Sequence, residues 1–261
     1  MKTFTSKIIS AVLTGALALG VAGCAQPAAN DTGLKTVEAG KLTMATNAFF
    51  PPYEYYEGDE IVGIDAEIAQ AVADKLGLEL VIEDTEFDAI IVGVQSNKYD
   101  IGCAGMTITE ERLQSVNFTT PYATGIQSVI VPEDSEITDV DTLLAGDYIV
   151  AVQTGTTGDI YMTDDIGEAR VDRYQKGNDA ILALTSGKVD AVVIDNEPAK
   201  AFVAANPGLK ILDTAYAEEE YAMCINKDNE ELLNAVNQAL DELKKDGTID
   251  AIVAKYIPAE G

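Results

Sequence analysis

From Lys41 onward, apolar positions alternate between two spacings. Lys41–Thr46 is a short run of strand length. Ile64, Ile68, Val72 and Leu76 then recur every four residues and mark one face of a helix. Asp65 stands where it could cap that helix, and Gly77 where it could end it. The alternation continues with a strand at Leu78–Ile82, a helix at Phe87–Ser96, a strand at Tyr99–Ala104 and a short helix at Thr109–Ser115, whose Glu110 and Glu111 suit a first turn. A second series follows: a strand at Tyr148–Val152, a helix opening at Thr154, a helix at Gly177–Ser186, a strand at Val189–Ile194, a helix at Glu197–Ala205 and a strand at Leu209–Leu212. Tyr221–Asn226 is the last predicted strand. An amphipathic helix with Leu232, Leu233, Val236, Leu240 and Leu243 on one side ends at Gly247, and a final helix runs from about Ile249 to Tyr256. Strands alternating with helices predict an α/β architecture with mainly parallel sheets. No internal tandem repeat is visible.

The first two dozen residues read differently. Lys2 and Lys7 give a basic start, and Ile8 to Val21 is uncharged and apolar or small. This is the layout of a secretory signal, with an apolar stretch too short for a comfortable membrane span. It ends in Val21-Ala22-Gly23-Cys24, which resembles the bacterial lipobox. That resemblance implies cleavage before Cys24, a lipid on its sulfur and a mature chain held on the outer face of a membrane. An ordinary signal with an incidental cysteine is the alternative. Residues 24–39, rich in Ala, Gly, Pro, Asn and Thr, predict a flexible tether about 20 Å in mean reach.

Composition narrows the chemistry. The 261 residues hold 17 basic and 44 acidic side chains. The segment 1–23 holds two lysines and no acid, so the remainder carries a net −29. Such a surface repels nucleic acid and anionic lipid headgroups. Histidine is absent, which removes Ser-His-Asp and Cys-His dyads, histidine metal sites and imidazole acid–base work. Phosphate-loop, dinucleotide, nucleophile-elbow and zincin motifs do not occur. No cofactor or metal is expected. Cys103 and Cys224 lie in apolar, strand-like stretches and read as buried free thiols, although export would permit a disulfide.

Three segments carry candidate chemistry. Ala104-Gly105-Met106-Thr107-Ile108-Thr109-Glu110-Glu111-Arg112 ends a strand, turns and opens a helix. The end of a strand is where open α/β sheets bind ligands. This turn offers a carbonyl at Gly105, a hydroxyl at Thr107 and, at Arg112, a forked guanidinium suited to a carboxylate. A surface ion pair between Arg112 and its neighbouring glutamates is the plainer reading. Gln153-Thr154-Gly155-Thr156-Thr157-Gly158 could bring backbone N–H groups onto an anion, or be a glycine-rich turn. Asp195, at the end of the strand Asp190–Ile194, could hold an ammonium group or cap the next helix. Phe50 and Phe87 could add an aromatic wall, or belong to the core. Together these groups match the two ends of an α-amino acid.

The chain also resembles a family. Thr46-Asn47-Ala48-Phe49-Phe50-Pro51-Pro52-Tyr53, Val62-Gly63-Ile64-Asp65, Gly105–Arg112, Phe118-Thr119-Thr120-Pro121-Tyr122, Gly155-Thr156-Thr157, Asp190-Ala191-Val192 and Asp246-Gly247-Thr248-Ile249 are similar, in order and spacing, to motifs of the extracellular solute-binding proteins of polar amino-acid ABC importers. The resemblance runs from about Lys41 to Pro258. It implies a two-lobed clamshell of the type II periplasmic-binding-protein kind, whose chain crosses twice between lobes. One lobe would comprise 40–126 and 222–261, the other 127–221. It implies that Arg112 grips the ligand carboxylate with the N–H groups of Thr107 and Thr157. Asp195, the Gly105 carbonyl and the Thr107 hydroxyl would hold the ammonium, and Asn47, Phe50, Phe87 and Gln153 would face the side chain. Where related glutamine binders carry an acid and a lysine, this chain has Asn47 and Gln153. That favours a neutral polar ligand, while aromatic faces leave arginine or lysine open. The implied partners are a free amino acid and a membrane permease, with the protein acting as a monomer. Two rivals are a dehydratase of a cyclic acid built on the same fold and an amino-acid sensor lipoprotein.

Overall fold

The computed structural model describes residues 33–213 and 215–258. The leader, Cys24 and the start of the tether lie outside these residues. The described part of the tether rests on the globule: Leu34 packs against the core, the Val37 N–H donates to Asp100 Oδ1 at 2.7 Å and Asn229 Nδ2 donates to the Lys35 carbonyl at 2.9 Å.

In chain order, β1 (Lys41–Thr46) leads into a small hairpin of β2 (Phe49–Phe50), β3 (Glu54–Glu57) and β4 (Glu60–Val62). Then come α1 (Ile64–Leu76), β5 (Glu79–Asp84), α2 (Phe87–Gln95), β6 (Ile101–Gly102), α3 (Glu110–Ser115), β7 (Val116–Phe118) and the long β8 (Ala123–Pro132). The second series is α4 (Val140–Ala145), β9 (Val150–Gln153), α5 (Thr157–Ile166), β10 (Val171–Tyr174), α6 (Gly177–Thr185), β11 (Ala191–Asp195), α7 (Asn196–Ala205), β12 (Leu209–Ile211) and β13 (Ala217–Tyr221). The chain ends with β14 (Cys224–Asn226), α8 (Glu230–Lys245) and α9 (Thr248–Tyr256).

Two larger sheets result, ordered β5-β1-β6-β14-β7 and β10-β9-β11-β8-β12, with β13 added along β8. Each has a parallel half, such as β1 between β5 and β6, and an antiparallel half built on β14 or β8. The sheets are therefore mixed, not mainly parallel, because β14 returns late in the chain to fill the first sheet. The two crossings between lobes are β7 to β8 and β13 to β14. Here β8 and β13 run side by side, Ala123 facing Tyr221 and Gln127 facing Ala217. Gly125 is required at this crossing, because a Cβ there would stand 2.2 Å from the Tyr221 hydroxyl. The expected lobe limits at 126/127 and 221/222 fall within β8 and just after β13.

Local chemistry explains most element ends. Gly77 takes the left-handed conformation (φ 69°) at the end of α1, which glycine adopts without steric cost. Thr109 caps α3, its hydroxyl accepting the Arg112 N–H at 3.1 Å. Asp65 is not a cap: α1 begins from Gly63 and Asp65 lies within its first turn, fully buried. The single strand expected at Tyr221–Asn226 divides into β13 and β14, because Ala222 and Met223 carry the chain from one sheet to the other. Cys103 and Cys224 are buried free thiols.

Candidate functional site

The strand ends meet in the cleft between the sheets. Asn47 follows β1, Gly105 and Thr107 follow β6, Gln153 ends β9 and Asp195 ends β11. Helix starts supply the rest: Phe87 opens α2 and Thr157 opens α5, while Arg112 projects from α3. One cavity is lined by Asn47, Phe50, Phe87, Gly105, Thr107, Arg112, Gln153, Thr157 and Asp195, so all nine sequence-predicted residues share it. The sequence did not point to Glu54 and Gln127, which line it too. Its free volume is small, about 20 Å³, and the lobes are closed upon it.

Direct bonds across the cleft account for that closure. Arg112 Nη2 donates to the Gly155 carbonyl at 3.0 Å, and Gln153 Nε2 donates to Asn47 Oδ1 at 2.8 Å. The Lys176 ammonium sits 3.7 Å from the centre of the Phe49 ring.

Arg112 is 6% exposed. Its Nη1 donates to the Thr107 carbonyl at 2.7 Å, and the Phe87 ring lies 5.4 Å from the guanidinium carbon. Both hydrogen-bond partners are carbonyls, not the neighbouring glutamates. Burial draws its pKa down, opposed by Glu219. A guanidinium has five N–H donors, so three remain after these bonds.

Asp195 is 8% exposed and stands at the start of α7, yet its side chain makes no capping bond. It turns into the protein instead. Oδ2 accepts from Gln127 Nε2 at 2.8 Å and Oδ1 from the Tyr221 hydroxyl. Neither partner is a cation. Burial, and then the neighbouring Glu219, push its carboxyl well above the usual range. Glu54 is 1% exposed, its Oε2 has no hydrogen-bond partner among the described residues, and burial followed by Asp65 raises it strongly. Asp65 supports the turn that carries Gly105. Its Oδ2 accepts the Gly105 N–H at 2.8 Å and the Tyr122 hydroxyl at 2.6 Å. Burial pushes this carboxyl up to about 6, against those stabilising bonds.

At the far end, Gln153 Nε2 also donates to the Gln175 carbonyl at 3.0 Å, and Asn47 Nδ2 donates to the Thr85 carbonyl at 2.8 Å. The Gln153 nitrogen has thus spent both of its N–H groups and the Asn47 nitrogen one of two, so these bonds leave the Gln153 oxygen as an acceptor and one Asn47 N–H as a donor. The signal for Gln127 was a polar residue inside the apolar run Ile126–Val131, a position that burial makes costly unless it is bonded.

Residues 42–259 match the profile of the bacterial extracellular solute-binding proteins, family 3. The chain belongs to this family. This solute-binding protein is 32% identical over 226 residues to ABC transporter arginine-binding protein 1 of Escherichia coli K12, a match covering 84% of the chain and 92% of that relative. Among solved structures, it resembles the arginine-, lysine-, histidine-binding protein ArtJ of Geobacillus stearothermophilus with a TM-score of 0.80 and 31% identity, covering 85% of this chain and 96% of that one. An ancestral arginine-binding protein bound to glutamine gives a TM-score of 0.79 and 38% identity, with 84% and 99% covered. The two-lobed architecture of this solute-binding protein is thus that of proteins named for amino-acid binding.

Proposed function

We propose that this protein captures a free α-amino acid between its lobes and delivers it to an ABC importer in the membrane, without chemistry on the ligand. One observation carries the reading: the same closed cavity holds a buried cation hydrogen-bonded to carbonyls, Arg112, and a buried acid hydrogen-bonded to an amide and a phenol, Asp195. A zwitterion supplies the opposite charge to each. Arg112 takes the carboxylate, helped by the N–H groups of Thr107 and Thr157. Asp195, the Gly105 carbonyl and the Thr107 hydroxyl take the ammonium. The ligand side chain lies between Phe50 and Phe87 toward Asn47 and Gln153.

That end suits a polar side chain that can both donate and accept, because the two amides leave an acceptor on Gln153 and one N–H on Asn47. Glutamine does both and arginine the first, and the names of the relatives run in the same direction. The small free volume means that the ligand enters with the lobes parted. Closure must then favour the bound state, since a ligand shifts only an equilibrium it senses.

Cys24 carries the lipid in this reading and holds a monomer at the outer face of the membrane. Cys24→Ala should release the protein from the membrane fraction; continued retention would remove the anchor from the account. A thermal-shift screen over the twenty amino acids tests the function itself. A ligand at a hundredfold excess over its dissociation constant stabilises by about 2.7 kcal/mol. No shift with any amino acid would refute the proposal.

A further inference from the structure

We propose that Glu219 makes the ammonium end of the cavity acceptor-only and thereby selects an amine over a hydroxyl on the ligand's α-carbon; this rests on the reading above. Glu219 lies on β13 and is 6% exposed. Its Oε2 accepts from the Thr107 hydroxyl at 2.9 Å and from Gln127 Nε2 at 3.1 Å. Gln127 Nε2 also donates to Asp195 Oδ2 at 2.8 Å. One amide nitrogen therefore bridges two buried carboxylates. Tyr161 of α5 lies close on the other side, its phenol raised chiefly by burial and next by Glu219.

The consequence follows from counting protons. A hydroxyl has one. Thr107 spends it on Glu219, so its oxygen can only accept from a ligand. An amide has two donors on nitrogen. A carboxylate only accepts, so the Gln127 nitrogen must face Asp195 and Glu219, which leaves its oxygen as an acceptor. Gln127 Oε1 is buried with no donor among the described residues. Together with Asp195 and the Gly105 carbonyl, this end of the site holds acceptors without donors. An ammonium brings three donors and no acceptor. A hydroxyl brings one donor, and a keto group none, leaving buried acceptors unpaired at a real cost. Glu219 does not line the cavity; it acts through Thr107 and Gln127 as a positioning residue.

The test is Glu219→Gln, which keeps the shape but lets residue 219 donate to Thr107 and free the hydroxyl's proton for the cavity. L-arginine and L-glutamine would be titrated by calorimetry, and the 2-hydroxy acid counterpart of each by competition. We expect amino-acid affinity to fall at least tenfold while hydroxy-acid affinity moves less than threefold, with the ligand-free melting temperature nearly unchanged. Amino-acid affinity within threefold of wild type overturns the proposal, as does an equal fall for both ligand classes, the mark of a merely structural role. If Glu219→Gln fails to fold, Thr107→Val should lower the same selectivity, and an unchanged selectivity overturns the proposal. A wild-type protein that binds neither these nor any other amino acid refutes the site reading and takes this inference with it. Binding by wild type with an unmoved variant refutes the inference alone.

Discussion

Replacing Arg112 probes the carboxylate end. The side chain is buried, donates to the Thr107 and Gly155 carbonyls and stacks on Phe87. Arg112→Ala leaves the ligand carboxylate buried without its cation. Removing one partner of a buried, hydrogen-bonded charge pair costs about 2–5 kcal/mol, or about 30-fold to several thousand-fold in affinity. Arg112→Lys keeps the charge but loses the fork, and one point charge cannot serve the Gly155 carbonyl and a carboxylate together. The loss of one charge-assisted hydrogen bond, about 1.5–3 kcal/mol, predicts an intermediate weakening of about 10- to 150-fold. Calorimetry with the best ligand from the amino-acid screen reads all three proteins. The order wild type, lysine, alanine is expected. Both variants within threefold of wild type would refute the assignment of Arg112.

Asp195→Ala should also cost about 2–5 kcal/mol of binding, seen by the same calorimetry, and equal affinity would remove the acid from the site. The pH dependence follows from the burial of Asp195, which raises its carboxyl well above the usual range: at pH values below the raised one, a bound ammonium displaces a proton and binding releases it. Affinity should therefore rise with pH above the usual carboxylate range and level off beyond the raised value, and Asp195→Asn should flatten the profile; titration in two buffers of different ionisation enthalpy counts the proton. For Asp65, the folded carboxyl at about 6 lies above its ordinary 3.8, so its contribution is fully present below that ordinary value and is lost as pH rises through about 6. Wild type should gain stability relative to Asp65→Asn between pH 7 and 4, by at most about 3 kcal/mol; a difference constant with pH would contradict this. Gly125→Ala should lower the melting temperature, because its Cβ meets the buried Tyr221 ring and overpacking costs about 1–3 kcal/mol; an unchanged melt would show that β8 and β13 can part freely.

How far the sequence could be read depends on what each residue's pattern reports. Four-residue spacing reports a buried helix face, and α1 and α8 follow it closely. Asp195 and Arg112 were legible as residues of one cavity because each follows the end of an apolar strand, where open α/β sheets leave room for a ligand. Periodicity does not say which sheet a strand joins. Tyr221–Asn226 therefore read as one strand, although its two ends belong to different sheets, and β8 went unread although it is the spine of the second sheet. Gln127 was hidden with β8. Glu54 was hidden in a hairpin whose short strands lack a clear period. Asp65 shows the opposite failure: its position suits a cap, but tertiary packing turned it inward to hold the Gly105 turn.

In this proposal a zwitterion bridges the charges of the two lobes. A crystal structure with the amino acid that gives the largest thermal shift tests it most directly. The ligand carboxylate should lie on the Arg112 guanidinium and its ammonium on Asp195, in one closed cavity. A bound amino acid that touches neither group would contradict it.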